Sequence, residues 1–446
     1  MCTIEERVQL MVEQHPQKMA VISGGVAVSY AEFWARVQEK ASLFLSQKMV
    51  SEGRGHVIRA SQSIDFLVTY FAVHLAGGVA VPLENDIPEE RLVSIKGEVE
   101  HLAMPLGTAD VLYTTGTTGQ SKGVMISHEA VIANTENLVE AQGYSEGLLF
   151  VITGPLNHIG NLSKVLPVLF TGGTLYIMQG MKDMNLFFSA FELPFARVAT
   201  FLVPASIRML MAFCSDRLQA CASRIEFIET GAAPIAQSDM EHLCKLLPSS
   251  RLYNTYASTE TGIVCTHNFN GDKCIAGCLG RPMKHSRVFI DETGAVACQG
   301  KTLMTGYIGD SVATRSLLRD GTLYTHDNGL LDEDGMLRLT GRCDDVINIG
   351  GFKVAPSEVE DVALSLPEVV DCVCISTIHP VLGNVLKLLL VLEEGCVLDK
   401  KRIARYIRTK LEVYKVPTLY ETVEKINRTY NCLLYTSDAA DEARSV

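Results

Sequence analysis

Short apolar runs alternate with helix-like segments through the first half of the chain. The runs are His56–Arg59, Gly78–Pro82, Leu148–Thr153, Thr174–Met178, Val198–Val203 and Arg224–Glu229. Consecutive strands can lie parallel only if a crossover carries the chain back, and a helix is the usual crossover. The pattern therefore predicts parallel sheets covered by helices. Upstream, Ser29-Tyr30-Ala31-Glu32 is a capping box, and Phe33, Val37, Ala41 and Phe44 follow at helical spacing. This predicts a helix from Ser29 to about Gln47.

The texture changes near Lys284. Arg287–Asp291, Ala295–Cys298, Thr322–Thr325 and Met336–Thr340 are short strands separated by Gly-containing acidic turns, which predicts an antiparallel meander. Gly341-Arg342-Cys343-Asp344-Asp345 is polar and opens on glycine, a plausible domain boundary. Beyond it the pattern predicts a helix over Pro356–Leu366, strands over Val369–Thr377 and Lys387–Leu392, and a helix over Leu398–Leu411. At 446 residues the chain is long enough for more than one domain.

A net charge of −12 gives the whole chain no electrostatic footprint for nucleic acid. An anionic ligand would need a locally built site. The N-terminus, Met1-Cys2-Thr3-Ile4-Glu5-Glu6-Arg7, is acidic where a secretory signal would be basic. The apolar stretch Phe66–Leu83 is broken by His74, Gly77 and Gly78, so no membrane span is expected. Cytoplasm is the expected compartment, with the 13 cysteines reduced. Neither the pair Cys372 and Cys374 nor the pair Cys274 and Cys278 has the second ligand pair that a zinc site needs.

The segment Tyr113-Thr114-Thr115-Gly116-Thr117-Thr118-Gly119-Gln120-Ser121-Lys122-Gly123-Val124 follows an apolar run and precedes a predicted helix. Its glycines let backbone N–H groups approach oxygen, its hydroxyls donate further bonds, and Lys122 adds charge, which together suit a phosphate grip. It is not an ordinary P-loop, because Lys122 is followed by Gly123 rather than Ser or Thr.

This segment resembles the phosphate loop of the adenylate-forming enzymes, which include acyl- and aryl-CoA ligases, adenylation domains of peptide synthetases, and luciferases. Further motifs stand in that family's order across nearly the whole chain. The resemblance implies that Thr114, Thr115, Gly116, Thr117, Thr118 and Lys122 hold the phosphates of ATP, with Thr115 and Lys122 among the catalytic residues. Thr230-Gly231-Ala232-Ala233-Pro234 resembles the adenine-side turn and assigns Gly231, Ala232 and Ala233 to the nucleotide. Asn254-Thr255-Tyr256-Ala257-Ser258-Thr259-Glu260-Thr261-Gly262 resembles the motif in which Tyr256 stacks on adenine, Thr259 meets the α-phosphate and Glu260 holds Mg²⁺. On the residues alone, Glu260 reads as a surface carboxylate. Tyr324-Thr325-His326-Asp327 resembles the ribose-binding segment and gives Asp327 both ribose hydroxyls; His326 stands where the family usually has glycine. By the same resemblance Arg342 contacts ribose, Asp344 is the hinge, and Gly350, Gly351 and Phe352 line the tunnel for coenzyme A.

Pro155-Leu156-Asn157-His158-Ile159-Gly160 resembles the acyl-side motif, with His158 beside the substrate carboxylate. The implied acyl pocket is walled by Leu202, Val203, Ala257 and Ile263, together with His158 and Gly231. Ala257 replaces a frequent glycine and narrows that pocket. Asn157, His158 and Asn161 supply no carboxylate for an α-ammonium, whose burial alone would be costly, so the acid is expected to lack an α-amino group. An aryl or medium-length acyl acid fits the mostly apolar walls.

After Asn431 the family continues with Gly-Lys, whose lysine catalyses adenylation. Here Cys432-Leu433-Leu434-Tyr435-Thr436-Ser437 and the residues after them stand instead, a string that reads like translated sequencing adapter. The resemblance implies an α/β fold. It has a large N-terminal domain, 1–342, of two doubly wound subdomains plus a small β-barrel. A small mobile α+β C-terminal domain, 343–431, follows, and 432–446 is a non-native tail. The implied function is ATP- and Mg²⁺-dependent activation of a small carboxylic acid, followed by thioester formation with coenzyme A. Adenylation is expected to be impaired in the chain as written. Loading of a carrier-protein thiol, or nucleotide and acyl binding without turnover, are the alternatives.

Overall fold

In the computed structural model the described residues are 3–114, 121–181, 183–271, 273–342, 347–349, 352–379 and 383–426. The expected helix forms over Tyr30–Ser46, and its capping box closes in both directions: Glu32 N–H donates to Ser29 Oγ at 3.2 Å, and Ser29 N–H to Glu32 Oε2 at 2.8 Å. Phe33, Val37, Ala41 and Phe44 face the core, as their spacing requires.

Two sheets carry the large domain. The first has five strands in the order Gly306–Tyr307, Gly123–Ser127, Thr108–Tyr113, Val79–Leu83, Gly55–Arg59. Its last three strands are parallel and its first two antiparallel. Helix Ile64–Leu75 packs on one face, and Ile95 and Val99 of helix Glu89–His101 on the other. The second sheet has eight strands: Gly262–Asn268, Arg251–Ser258, Ile225–Thr230, Arg197–Phe201, Leu148–Ile152, Thr174–Ile177, Met19–Ser23 and Val26–Ser29. The inner six run parallel, and each outermost strand pairs antiparallel with its neighbour. Leu148–Ile152 is buried at every position, as a strand covered on both faces must be. Helices His128–Gln142 and Ile159–Phe170 cover one face, and Pro204–Ala220 and Gln237–Leu246 the other. Parallel strands bring their carboxyl ends to one edge, where such sheets bind ligands.

The meander after Lys284 is a six-stranded antiparallel sheet. It stands where a small barrel was expected. Its described pairings form an open path from Cys278–Gly280 to Ser286–Ile290 rather than a closed ring.

The segment 113–124 differs from expectation in one respect. It does not run into a helix. It joins Thr108–Tyr113 to the antiparallel strand Gly123–Ser127, and helix His128–Gln142 begins only after that strand. The loop is thus a hairpin connection and does not itself lead into a helix N-terminus.

The small domain has its own core, in which Val354, Val359, Cys372, Cys374, Leu388, Leu390, Ile403 and Ile407 pack together. It meets the large domain at Arg208, whose guanidinium lies 3.3 Å from Asp239 and 3.4 Å from Asp371 of the small domain. Burial, with the negative charge of Asp239 added, pushes the nearby Asp361 carboxyl up to about 6. An unfolded aspartate titrates near 3.9. A carboxyl with a raised folded pKa destabilises once ionised, so the full cost holds above about pH 6 and is gone below about pH 4. Asp361→Asn should thus stabilise the protein at about pH 7 by up to roughly 3 kcal/mol and leave it unchanged near pH 4. Denaturant titrations at the two pH values check this; an equal gain at both would refute it.

Candidate active site

At the hairpin base, Thr114 N–H donates to the Lys122 carbonyl at 3.0 Å, so both residues flank the turn they close. The Lys122 ammonium lies 5.0 Å from the centre of the Tyr307 ring. The Tyr307 hydroxyl in turn donates to Glu260 Oε1 at 2.9 Å. Lysine and carboxylate, 138 positions apart by numbering (260 − 122), are thus joined through one tyrosine. Its two-residue strand, Gly306–Tyr307, is stitched to Gly123–Ser127, while Met304 N–H donates to the Glu260 carbonyl at 2.8 Å. Sequence reasoning missed Tyr307; a strand so short leaves no periodic signal.

Glu260 sits in the turn between strands Arg251–Ser258 and Gly262–Asn268. Ser258 and Thr261 lock it, each backbone N–H donating to the other's hydroxyl at 3.0 Å. Gly262 closes it at φ +67, and a Cβ there would stand 2.6 Å from the Thr302 carbonyl oxygen, so only glycine fits. Thr259 lies half-buried in the same turn. A hydrogen-bonded partner that orients a metal-binding carboxylate commonly matters 10–100-fold for metal affinity. If Glu260 holds Mg²⁺ as its motif implies, Tyr307→Phe should weaken Mg²⁺-dependent ATP binding by about tenfold, read by titration calorimetry with and without Mg²⁺. An unchanged affinity would remove Tyr307 from the site.

On the far side of the same strand, the Tyr256 hydroxyl donates to Asp327 Oδ2 at 2.6 Å. Burial, and then the Asp327 charge, push the Tyr256 phenol well up, so it stays protonated and remains the donor. Asp327 and Arg342 are direct cross-strand partners, which brings the two expected ribose residues to one place in the meander. Gly231, Ala232 and Ala233 follow strand Ile225–Thr230. Ala232 adopts a left-handed backbone, φ +66, a strained conformation of the kind held at binding turns.

His158 caps helix Ile159–Phe170. Burial depresses its pKa, partly offset by Glu84, so the imidazole is neutral at physiological pH and would meet a carboxylate as a hydrogen-bond donor rather than a cation. Val203, Ala257 and Ile263 pack in one cluster with Ile159 and Phe201. Leu202 does not join them. It packs with Ile207, Leu210 and Ile228 in the core on the opposite face of the sheet. The strand ends at Phe201, and its alternation turns Phe201, not Leu202, toward the acyl side.

Thr115, Gly116, Thr117, Thr118, Asp344, Gly350 and Gly351 lie outside the described residues, as do the side chains of Arg342 and Phe352 and the tail from Cys432. Among the described residues, no helix is long and apolar enough to cross a membrane.

Comparison with known proteins fits this geometry. The family model for AMP-binding enzyme matches residues 8–104 and 100–308, and that for AMP-binding enzyme C-terminal domain matches 358–431. A feruloyl-CoA synthase of Amycolatopsis sp. is 28% identical over 93% of this chain and 94% of its own. ATP-bound MatB from Rhodopseudomonas palustris superposes with a TM-score of 0.88 at 22% identity, over 99% of each chain. The o-succinylbenzoate CoA synthetase of Bacillus subtilis, solved with its acyl-adenylate intermediate, gives 0.85 at 22% identity over 96% of each chain. At these identities the two structures speak for the fold alone.

Proposed function

The chain belongs to the AMP-binding enzyme family, and from that premise we infer that it is an AMP-forming acid:CoA ligase. It activates a carboxylic acid with ATP to an acyl-adenylate and passes the acyl group to the thiol of coenzyme A. The observation that carries the reading is the Lys122–Tyr307–Glu260 arrangement beside the Tyr256–Asp327 pair. One half presents a cation and a carboxylate to phosphates, the other a ring and a carboxylate to a nucleoside.

Glu260, oriented by Tyr307, suits a hard cation that also takes phosphate oxygens. Among the described residues, no group of three or more His, Cys, Asp or Glu could hold a metal unaided. A Mg²⁺ ion would therefore share Glu260 with the phosphates, and when bound would neutralise their charge. In this reading Lys122 holds the phosphates, Asp327 the ribose, and Tyr256 packs on the base. Neutral His158 donates to the acid's carboxylate and so orients it for attack on the α-phosphorus. Positioning and charge neutralisation supply most of the rate. The acid lacks an α-amino group and is aryl or of medium length, because Phe201, Val203, Ala257 and Ile263 offer apolar walls and no carboxylate.

The C-terminal family match stops at Asn431, directly before the divergent string. This supports reading 432–446 as foreign and the chain as written as slow in adenylation. The test is acid-dependent AMP release over aryl, short, medium and amino acids, with and without coenzyme A. Thioester formation with non-amino acids is expected. Preference for an amino acid, or transfer only to a carrier protein, would overturn the assignment.

A further inference from the structure

Two turns apart, Gln237 and Cys244 share one face of helix Gln237–Leu246. Against that face lies the irregular chain between strands Gly262–Asn268 and Cys278–Gly280. The Gln237 amide grips this chain twice. Its Nε2 donates to the Cys274 carbonyl at 2.9 Å, and its Oε1 accepts from Ala276 N–H at 2.7 Å. The same Nε2 stands 4.0 Å from Cys274 Sγ. Cys244, in the last helical turn, has its sulfur 3.9 Å from the Phe269 carbonyl oxygen. Both cysteines pack at the edge of one core, with Leu246 and Ala276. Their thiols meet there, the Cys244 S–H donating to the Cys274 sulfur.

Whether such a contact can react depends on access and on which sulfur ionises. Cys265, Cys278, Cys298, Cys372 and Cys374 are buried, whereas Cys244 and Cys274 are both partly exposed. Burial raises both thiols, and the negative charge of Cys274 helps push Cys244 up to about 12. The hydrogen bond works the other way on Cys274, whose thiolate it stabilises. Cys274 is therefore the first to ionise, and Cys244 stands behind it as the second sulfur. The pair also has a defined place in the fold. It lies at the root of the hairpin formed by Arg251–Ser258 and Gly262–Asn268, where Phe269 N–H donates to the Leu252 carbonyl at 2.9 Å. Tyr256, Thr259 and Glu260 lie toward the other end of that hairpin.

We propose that Cys244 and Cys274 form a dithiol site that a low-molecular-weight disulfide oxidises reversibly, stapling the root of the hairpin that carries Tyr256 and Glu260. This stands apart from the ligase reading. Cys274, having lost its proton, attacks one sulfur of the reagent R–S–S–R. A bond forms from Cys274 Sγ to that sulfur, and RS⁻ leaves and takes up a proton. Cys244 then loses its proton and attacks Cys274 Sγ, expelling the second RS⁻, which is protonated in turn. Two cysteine thiols are oxidised to one disulfide, and one R–S–S–R is reduced to two R–SH. The sulfurs have only to close from hydrogen-bond contact to bonding distance, about 2 Å.

The experiment incubates the reduced full chain with excess oxidised glutathione near the ordinary thiol pKa, at about pH 8.5. Free thiols are then alkylated, and the peptides are mapped by mass spectrometry. The Cys244 and Cys274 peptides should appear joined, lighter by two hydrogen atoms, and should separate again with dithiothreitol. This link should form at least about tenfold faster than any other between cysteines of the chain, because its second step has a neighbouring thiol already in place. Cys244→Ser should halt the sequence at the mixed disulfide of Cys274 with glutathione. Separate glutathione adducts on both cysteines of the parent chain would overturn the proposal, since the second step would then have failed. Two free, alkylated thiols, or links to other cysteines formed as fast, would overturn it as well.

Discussion

A chain carrying Gly-Lys after Asn431 is expected to make acyl-adenylate about a hundredfold to a thousandfold faster than the chain as written. As pyrophosphate leaves, negative charge builds on the α-phosphoryl group, and a preplaced cation stabilises that state more than the ground state. Removal of one such charge-stabilising group costs on the order of 10²–10³ in rate. Lys410, Lys415 and Lys425 are near in sequence, but none stands at the family's position. Lys415 is moreover engaged, with Glu358 at 2.5 Å and Glu412 at 3.0 Å. The effect should be confined to one half-reaction. Acid-dependent exchange of pyrophosphate into ATP should rise, while transfer from a presynthesised acyl-adenylate to coenzyme A should hardly change. Equal exchange rates in the two proteins would sink both the lysine's role and the foreign-tail reading.

Lys164→Met alone is expected to destabilise the large domain by about 3–5 kcal/mol, the usual cost of leaving one member of a buried ion pair uncompensated. The methionine fills nearly the same volume, so little of the loss would come from a cavity. Glu229 would then be a carboxylate at 0% exposure with no counter-charge. Lys164→Met combined with Glu229→Leu should recover most of the loss, since apolar replacement of a whole buried pair is often neutral or better. Denaturant titrations of the single and double variants measure both statements. A single variant as stable as the parent would mean that water reaches Glu229.

Much of this architecture is legible in the chain, and the exceptions have physical causes. The capping box at Ser29 and the apolar runs marked their elements because they are local and periodic. Tyr256 and Asp327, 71 positions apart, were each picked out by a local motif, and the fold joins them by a hydrogen bond. Leu202 was misplaced because side chains alternate along a strand, so one residue's error in where the strand ends reverses the face. The strand Gly123–Ser127 was missed because the loop before it dominates the local composition. Tyr307 and the Lys164–Glu229 pair stayed invisible for another reason. Their meaning comes from partners distant in sequence, 47 positions away for Tyr307 and 65 for Lys164.

The short strand Gly306–Tyr307 also sets the order in which the molecule can be completed. Lys122 and Glu260 emerge early in synthesis, but Met304, Thr305 and Ile308 supply the backbone donors that tie the hairpin and the Glu260 turn together. A nascent chain still short of Met304 carries the hairpin lysine and the turn carboxylate with nothing to clasp them. The Lys122–Tyr307–Glu260 arrangement is thus among the last parts of the large domain to be finished at the ribosome. Proteolytic fragments ending before Met304 would keep both charged residues yet lose the strand that makes them one site.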